Sequence, residues 1–405
     1  MSGLRVIADD VTGACDVGSE FAAEGHVVRV VVDARGSAGR SGDLATELAV
    51  TNTQSRSLTA AEAAGRVGEA LAQSTPQILL KKIDTALRGH LGAELAAAVE
   101  GSGASGAFVI PAIPAVGRVT RAGQQWVRGQ LLGATEFARD PEGKGAESSV
   151  AAVLAHECDW SCEVVDVDTV RAGQLGGRAR TLFDTGCRLI IVDAETDADV
   201  EHAVASMLTL PRPLCLAGSI PLARALARRD DLQAAAHPDP APTTLRSPSL
   251  IVCGSLHSRA HAQTEALVAA DLATRELVDD RSVDGLVAQI RAHLDRGRNV
   301  ILEAPPVEGS PAVEALRRIE HTLREVVRGV AVAGPVGSLV LIGGETSYGV
   351  LQGISATELL VLGRPAPLVA LAEIATGIAA GTLLVTKGGS GGDVGALTTL
   401  IAAGR

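Results

Sequence analysis

Short apolar runs alternate with longer mixed segments along the whole chain. Val6 to Ala8, Val27 to Val32, Ile78 to Leu80, Ala107 to Ile110, Leu189 to Val192 and Leu214 to Leu216 have strand length and aliphatic or β-branched content. Ala-rich segments at 59–72, 90–99 and 197–208 carry a helical pattern between them. Further strand-like runs follow at Leu250 to Cys253, 299–303, 339–342, 359–362 and 382–386, again with helices between. Such alternation predicts an α/β fold with mostly parallel sheets, because parallel strands need a helix-length crossover. Two segments break the rhythm. Residues 111–150, with Pro111, Pro114 and Pro141, read as a long excursion from the sheet. Residues 236–248, AHPDPAPTTLRSP, read as a linker.

At 405 residues the chain exceeds one ordinary core. The expected organisation is a domain at 1–236, a linker at 237–248 and a second domain at 249–405, each a mostly parallel sheet flanked by helices. Aromatic residues make up only 2%, so the cores are expected to be small-aliphatic, which suits strands covered on both faces. A net charge of -11 argues against a nucleic-acid or anionic-membrane partner. No apolar run reaches the roughly 18 residues of a membrane span, and Arg5, Asp9 and Asp10 interrupt the first one, so a cytoplasmic protein is expected. Of the six cysteines only Cys158 and Cys162 are close in sequence, and no second pair completes a zinc site, so reduced thiols are expected.

Several strand ends carry chemistry. ADDVTGACD, residues 8–16, delivers Asp9 and Asp10 to the carboxyl edge of a sheet, where open α/β folds bind ligands. The alternative is a turn whose aspartates only cap the following helix. KKIDTALRGHLGAEL, residues 81–95, brings Lys81, Lys82, Asp84 and Arg88 to another strand end, where Arg88 suits a carboxylate. A surface salt-bridge cluster would look the same. TNTQSRS, residues 51–57, offers Ser55 and Arg56, and the 111–130 segment offers Gly117, Arg118 and Thr120. GSGASG, residues 101–106, has the letters of a dinucleotide fingerprint but follows a helix and precedes a strand, so it reads as a connector.

In the second half, LVLIGGETSYGV, residues 339–350, is a strand, then Gly343-Gly344, then Glu345, Thr346 and Ser347 opening a helix. Backbone N–H groups at such a start bind phosphate. LLVTKGGSGG, residues 383–392, sets Lys387 beside Gly388 and Gly389, and IVCGSLHSRAHAQT, residues 251–264, adds Gly254 and Ser255. Plain tight turns are the alternative for each. Three in one domain predict one binding cleft, although no Walker A sequence occurs. His257 and His261 lack a third ligand and read as structural or solvent-facing.

Taken together these segments resemble the four-carbon acid sugar kinase family over nearly the whole chain. ADDVTGACD, KKIDTALRGHLGAEL, PAIPAVGR with its Gly-Gln-Trp stretch, LAGSIPLARALA, GGETS and TKGGSGG are similar to its motifs, in the same order. The resemblance implies a first domain that binds the acid, a second that binds ATP with Mg²⁺, and an active site in the cleft between them. It implies phosphorylation of threonate, erythronate or 3-oxo-tetronate at the terminal hydroxyl. Asp10, Asp84 and Arg88 are then the candidate catalytic residues, with Asp10 the first choice of base. With these three, Asp9 and Arg118 fall in the substrate motifs, and Ser55, Arg56 and Lys82 are further substrate-binding candidates. Gly254, Ser255, Gly343, Gly344, Glu345, Thr346, Lys387, Gly388 and Gly389 fall in the nucleotide motifs. Three positions depart from the family pattern: Thr85-Ala86 for Ser-Thr, Ile220-Pro221 where Gly is usual, and Ser390 for a common Phe. Rival readings are a dehydrogenase or aldolase acting on the same acids, and a sensor that binds acid or nucleotide without turnover. A homodimer is expected from the habit of metabolic enzymes.

Overall fold

The computed structural model describes residues 3–33, 47–72, 75–139, 146–229, 244–279, 281–305 and 313–404. Its strands in chain order are β1 (Leu4–Ala8), β2 (Val27–Val31), β3 (Glu47–Asn52), β4 (Ile78–Lys82), β5 (Ala107–Ile110), β6 (Arg118–Arg121), β7 (Gln124–Val127), β8 (Gln130–Leu131) and β9 (Cys162–Val165). They continue as β10 (Leu189–Val192), β11 (Leu214–Gly218), β12 (Ser249–Cys253), β13 (Thr274–Leu277), β14 (Val300–Glu303), β15 (Ser338–Ile342), β16 (Glu358–Ala366), β17 (Val369–Ile374) and β18 (Leu383–Lys387).

The chain forms two units, residues 1–9 with 33–235 and residues 10–32 with 236–405. The single first domain expected at 1–236 is therefore interrupted, because residues 10–32 pack with the second unit. Within the expected linker, residues 237–243 lie outside the described residues.

In the first unit the strand order is β3-β1-β4-β11-β5-β10-β9, and every pairing is parallel. The register aligns Ala8 with Asn52 and Lys82, and Lys82 with Gly218, so the residues that follow these strands emerge at one edge. Helix Leu91–Ser102 buries Leu95, Ala98 and Val99 against Leu79, Val109 and Ile191 of the sheet. Gly103 ends that helix at φ 72 and β5 begins at Ala107, so GSGASG is a helix-to-strand connector as its context implies. The 111–150 segment holds more regular structure than its sequence suggests. Strands β6, β7 and β8 form a separate antiparallel sheet. Asp193 fixes the β6–β7 turn by accepting from Ala122 N at 2.7 Å and Gly123 N at 3.0 Å. The buried Gln125 amide donates to Thr85 O at 3.0 Å and Pro111 O at 2.9 Å, which ties this sheet to the loop after β4.

The second unit has a parallel part, in order β13-β14-β12-β15-β18. Ile251, Val340 and Val385 of this part pack with Leu267 and Leu397 from its helices. β17 then runs antiparallel to β18, β16 antiparallel to β17, and β2 antiparallel to β16. The expected mostly parallel sheet thus carries three antiparallel pairings on one side. Cys253, Ile342 and Lys387 are in register, so the three glycine turns of the sequence follow neighbouring strands at one edge.

Candidate active site

In the first unit, the residues after β1, β3 and β4 meet in a charged cluster. Arg56 Nε donates to Asp9 Oδ2 at 2.7 Å, and Asp9 Oδ1 is buried without a hydrogen-bond partner among the described residues. Burial disfavours the charge on Asp9, but Arg56, Lys81 and Lys82 outweigh it and hold the carboxyl down to about 2. Arg88 Nε donates to Asp84 Oδ2 at 2.5 Å. Burial opposes ionisation of Asp84 too, yet Arg88, Arg56 and Lys82 hold it well below the usual carboxylate range. Arg118 donates to the Thr85 hydroxyl and stacks over Phe137, 4.8 Å from the ring centroid. Burial lowers the pKa of this guanidinium. Lys82 is buried, and among the described residues it makes no ion pair or side-chain hydrogen bond.

Beneath this cluster lies a fully buried network. Lys81 Nζ sits 2.9 Å from Glu94 Oε2, and Ser55 donates to Glu94 Oε1. The Ser55 hydroxyl is also 2.7 Å from Thr53 Oγ1. Ser55 has 0% exposure, and its hydroxyl is shared between Glu94 and Thr53. Arg88 Nη2 also lies 3.4 Å from Asp84 Oδ1, so its guanidinium faces that carboxylate.

In the second unit, helix Val11–Ala23 is capped by Asp10, whose Oδ1 accepts from Gly13 N at 2.9 Å and whose Oδ2 accepts from Thr12 Oγ1 at 2.5 Å. That carboxylate lies against the turn after β15. A Cβ placed on Gly344 would come 2.8 Å from Asp10 Oδ2. Gly343, at φ 112, takes a conformation disfavoured for other residues, and it starts helix Gly344–Gly353 without a side-chain cap. Backbone N–H groups at a helix start are anion-binding donors in general. A Cβ on Gly254 would collide with the Thr346 hydroxyl, and one on Gly389 with the Ser255 hydroxyl. The three turns are thus mutually packed and leave a backbone-lined cradle.

Lys387 ends β18 in this cradle with no exposed side-chain surface. Its ammonium donates to Gly388 O at 2.8 Å and forms no ion pair among the described residues. Burial pushes its pKa down to about 8. A buried cation beside uncapped helix N–H groups fits an anion such as a nucleotide phosphate. Glu345 opens the same helix.

His257 and His261 are structural, as expected. His257 Nδ1 caps helix Ser258–Ala269 by accepting from Arg259 N at 3.1 Å, and His261 Nδ1 lies 2.8 Å from Glu303. All six cysteines are free. Among the described residues no cluster of His, Cys, Asp or Glu is arranged to hold a metal ion, and no helix is long and apolar enough to cross a membrane.

Sequence reasoning assigned no role to Glu94 or Gln125, although both lay inside quoted segments. The one available signal was a charged residue at position 94 on an otherwise apolar helix face; Gln125 had none.

One α/β unit thus carries a buried cluster of Asp, Arg and Lys at its strand ends, and the other carries three packed glycine turns beside Lys387. Residues 4–226 match the family model of a sugar-binding N-terminal domain, and residues 250–397 that of a nucleotide-binding C-terminal domain. A D-threonate kinase of Salmonella typhimurium is 28% identical over 96% of this chain and 96% of its own. A D-erythronate kinase of Heliobacterium modesticaldum is 27% identical over 99% of this chain and 97% of its own. A 3-oxo-tetronate kinase of Methylobacterium radiotolerans is 27% identical over 88% and 89%. The crystal structure of a Haemophilus influenzae protein shares the fold, at a TM-score of 0.71, 19% identity, and coverage of 99% of this chain and 100% of the other. The chain belongs to the four-carbon acid sugar kinase family, whose members are phosphotransferases acting on an alcohol group.

Proposed function

We propose that this kinase transfers the γ-phosphoryl group of ATP to the terminal hydroxyl of a four-carbon sugar acid. The observation that carries the reading is the placement of the Asp10 carboxylate against Gly344, at the uncapped start of a helix beside buried Lys387. A base and a phosphate cradle there belong to one unit.

The acid's carboxylate pairs with Lys82, a buried cation with no close ion pair or side-chain hydrogen bond among the described residues, with Arg118 as second donor. Asp9 Oδ1 accepts from a substrate hydroxyl, which removes its lone unsatisfied acceptor. Asp84 holds Arg88 and keeps the loop after β4 in shape. Asp10 takes the proton of the terminal hydroxyl as its oxygen bonds to the γ-phosphorus and the bond to the ADP oxygen breaks. Lys387 and the N–H groups of residues 344–346 neutralise the phosphates. Mg²⁺ would be held by the phosphate oxygens of the nucleotide and would supply charge neutralisation.

The names of the relatives make D-threonate, D-erythronate and 3-oxo-tetronates the first acids to try. The test is ADP release from Mg-ATP against those acids, with glycerate and longer aldonates as controls. Acid-dependent release supports the reading. Folded protein that releases no ADP with any acid refutes it and favours a binding protein.

A further inference from the structure

Among the buried titratable groups that the reaction scheme leaves unused, Lys81 and Glu94 stand out. Both side chains are almost fully shielded, at 0% and 3% exposure, and they lie 2.9 Å apart. Glu94 divides its two oxygens between two chain segments. Oε2 meets Lys81 at the end of β4, and Oε1 accepts from Ser55 in the loop after β3. Ser55 in turn donates its backbone N–H to Asp9 O at 3.0 Å, and the next residue, Arg56, supplies the guanidinium that pairs with the Asp9 side chain. Thr53 adds a second tie from the same loop, donating from N at 2.8 Å and from Oγ1 at 2.9 Å to Ala8 O. Gln54 between them sits at φ 45, a backbone conformation held by these anchors and by the Asn52 side chain, whose Oδ1 accepts from Gln54 N at 2.9 Å.

We propose that Glu94 is a positioning residue for the sugar acid, resting on the kinase reading above. It clamps the Ser55–Arg56 turn and neutralises Lys81, and so fixes the Arg56–Asp9 pair that meets the substrate. A hydrophobic pair would fill the same volume without the desolvation of two charges, so bulk packing does not account for an ion pair here. The clamp does: it joins the β3 loop to β4 through one helix side chain. Lys81 also contributes directly to the field that keeps Asp9 ionised.

The test uses full-length protein and the acid that the wild type turns over. Glu94→Gln keeps an acceptor for Ser55 but leaves Lys81 without its counter-ion. KM for the acid should rise about tenfold or more while KM for ATP stays within about twofold, since a misplacement on the order of 1 Å is costly only to the ligand it positions. A double variant, Lys81→Met with Glu94→Leu, replaces the pair by apolar side chains of similar volume. It should recover the melting temperature and still show the raised acid KM. Ser55→Ala removes one hydrogen bond without changing charge, and should raise the acid KM about fivefold. If Ser55→Ala, or either Glu94 variant in folded form, binds acid with the wild-type KM, the assignment is overturned. A wild type that turns over none of the acids overturns the kinase reading and this assignment together. A working wild type with unchanged variants overturns the assignment alone.

Discussion

Arg56 grips one oxygen of Asp9 at 2.7 Å and leaves the other oxygen of the same carboxylate buried and unpaired among the described residues. A buried acceptor in that state costs about 1–3 kcal/mol, which a ligand hydroxyl would relieve. Asp9→Asn should therefore raise KM for the acid on the order of 100-fold with little change in KM for ATP, measured by ADP release at varied acid and varied ATP.

The depressed pKa of Asp9, at about 2, sets a pH dependence. Its folded value lies below the unfolded value of about 3.9, so its contribution to stability is complete above that pH and is lost as pH falls toward 2. Activity should consequently show no acid limb from Asp9 in the neutral range. Arg56→Leu removes the first of the opposing charges, so burial gains weight and a limb should appear at higher pH in kcat/KM for the acid. An unchanged profile would show that Arg56 does not set this pKa.

The charge on Lys387 acts against folding, whereas that on Asp9 acts for it. Its folded pKa, lowered to about 8 by burial, lies below the unfolded value of about 10.4, so the ammonium destabilises the free protein below pH 8. That penalty should ease as pH rises from 8 to 10. Bound phosphate would restore the charged form, so nucleotide binding near pH 8.5 should take up protons. Calorimetry in buffers of different ionisation enthalpy measures this, and Lys387→Met should abolish the uptake together with tight nucleotide binding.

Asp10→Asn separates capping from catalysis. Asparagine caps a helix about as well as aspartate, so the melting temperature should change little. With no base beside the phosphate turn, kcat should fall on the order of 100-fold or more. Near-normal turnover would move the base to another carboxylate.

Gly344→Ala drives a methyl group toward Asp10 Oδ2, 2.8 Å from the new carbon. Titration with a fluorescent nucleotide should show affinity for ATP lowered at least about tenfold, because the backbone at the helix start is displaced. Acid binding to the first unit should be unaffected.

Local pattern was enough to find nearly every buried parallel strand. β5 and β10 begin and end where their apolar runs do, because a strand covered on both faces shows continuous aliphatic sequence. The strand at Val27 to Val32 was found as well, but its pairing was not: nothing in VVRVV says that β2 joins β16, some 330 residues away. The small β6–β8 sheet was hidden by its glycines and polar residues, and Arg118 reaches its place only because Asp193 and Gln125 hold that sheet. The candidate site residues stood out because polar groups at a sheet edge are conspicuous against apolar runs. Which of them pair with each other was not legible. Arg88 with Asp84 and Arg56 with Asp9 are matters of side-chain direction, and Ser55 turned inward because Glu94, forty residues on, waits there.

Residues 10–32 belong with residues 236–405, and this bears on how the molecule is made. On the ribosome the first helix of the second unit emerges early, then stays without its partners while more than half of the chain is synthesised. That unit cannot finish folding during translation, and its contact order is set by this one early segment. The first unit lacks only residues beyond 235 that it does not use, and is free to fold as it emerges. Late arrival of the nucleotide half is thus written into the order of the gene, and a fragment beginning after residue 32 would be short of a strand and a helix however well its own sequence were chosen.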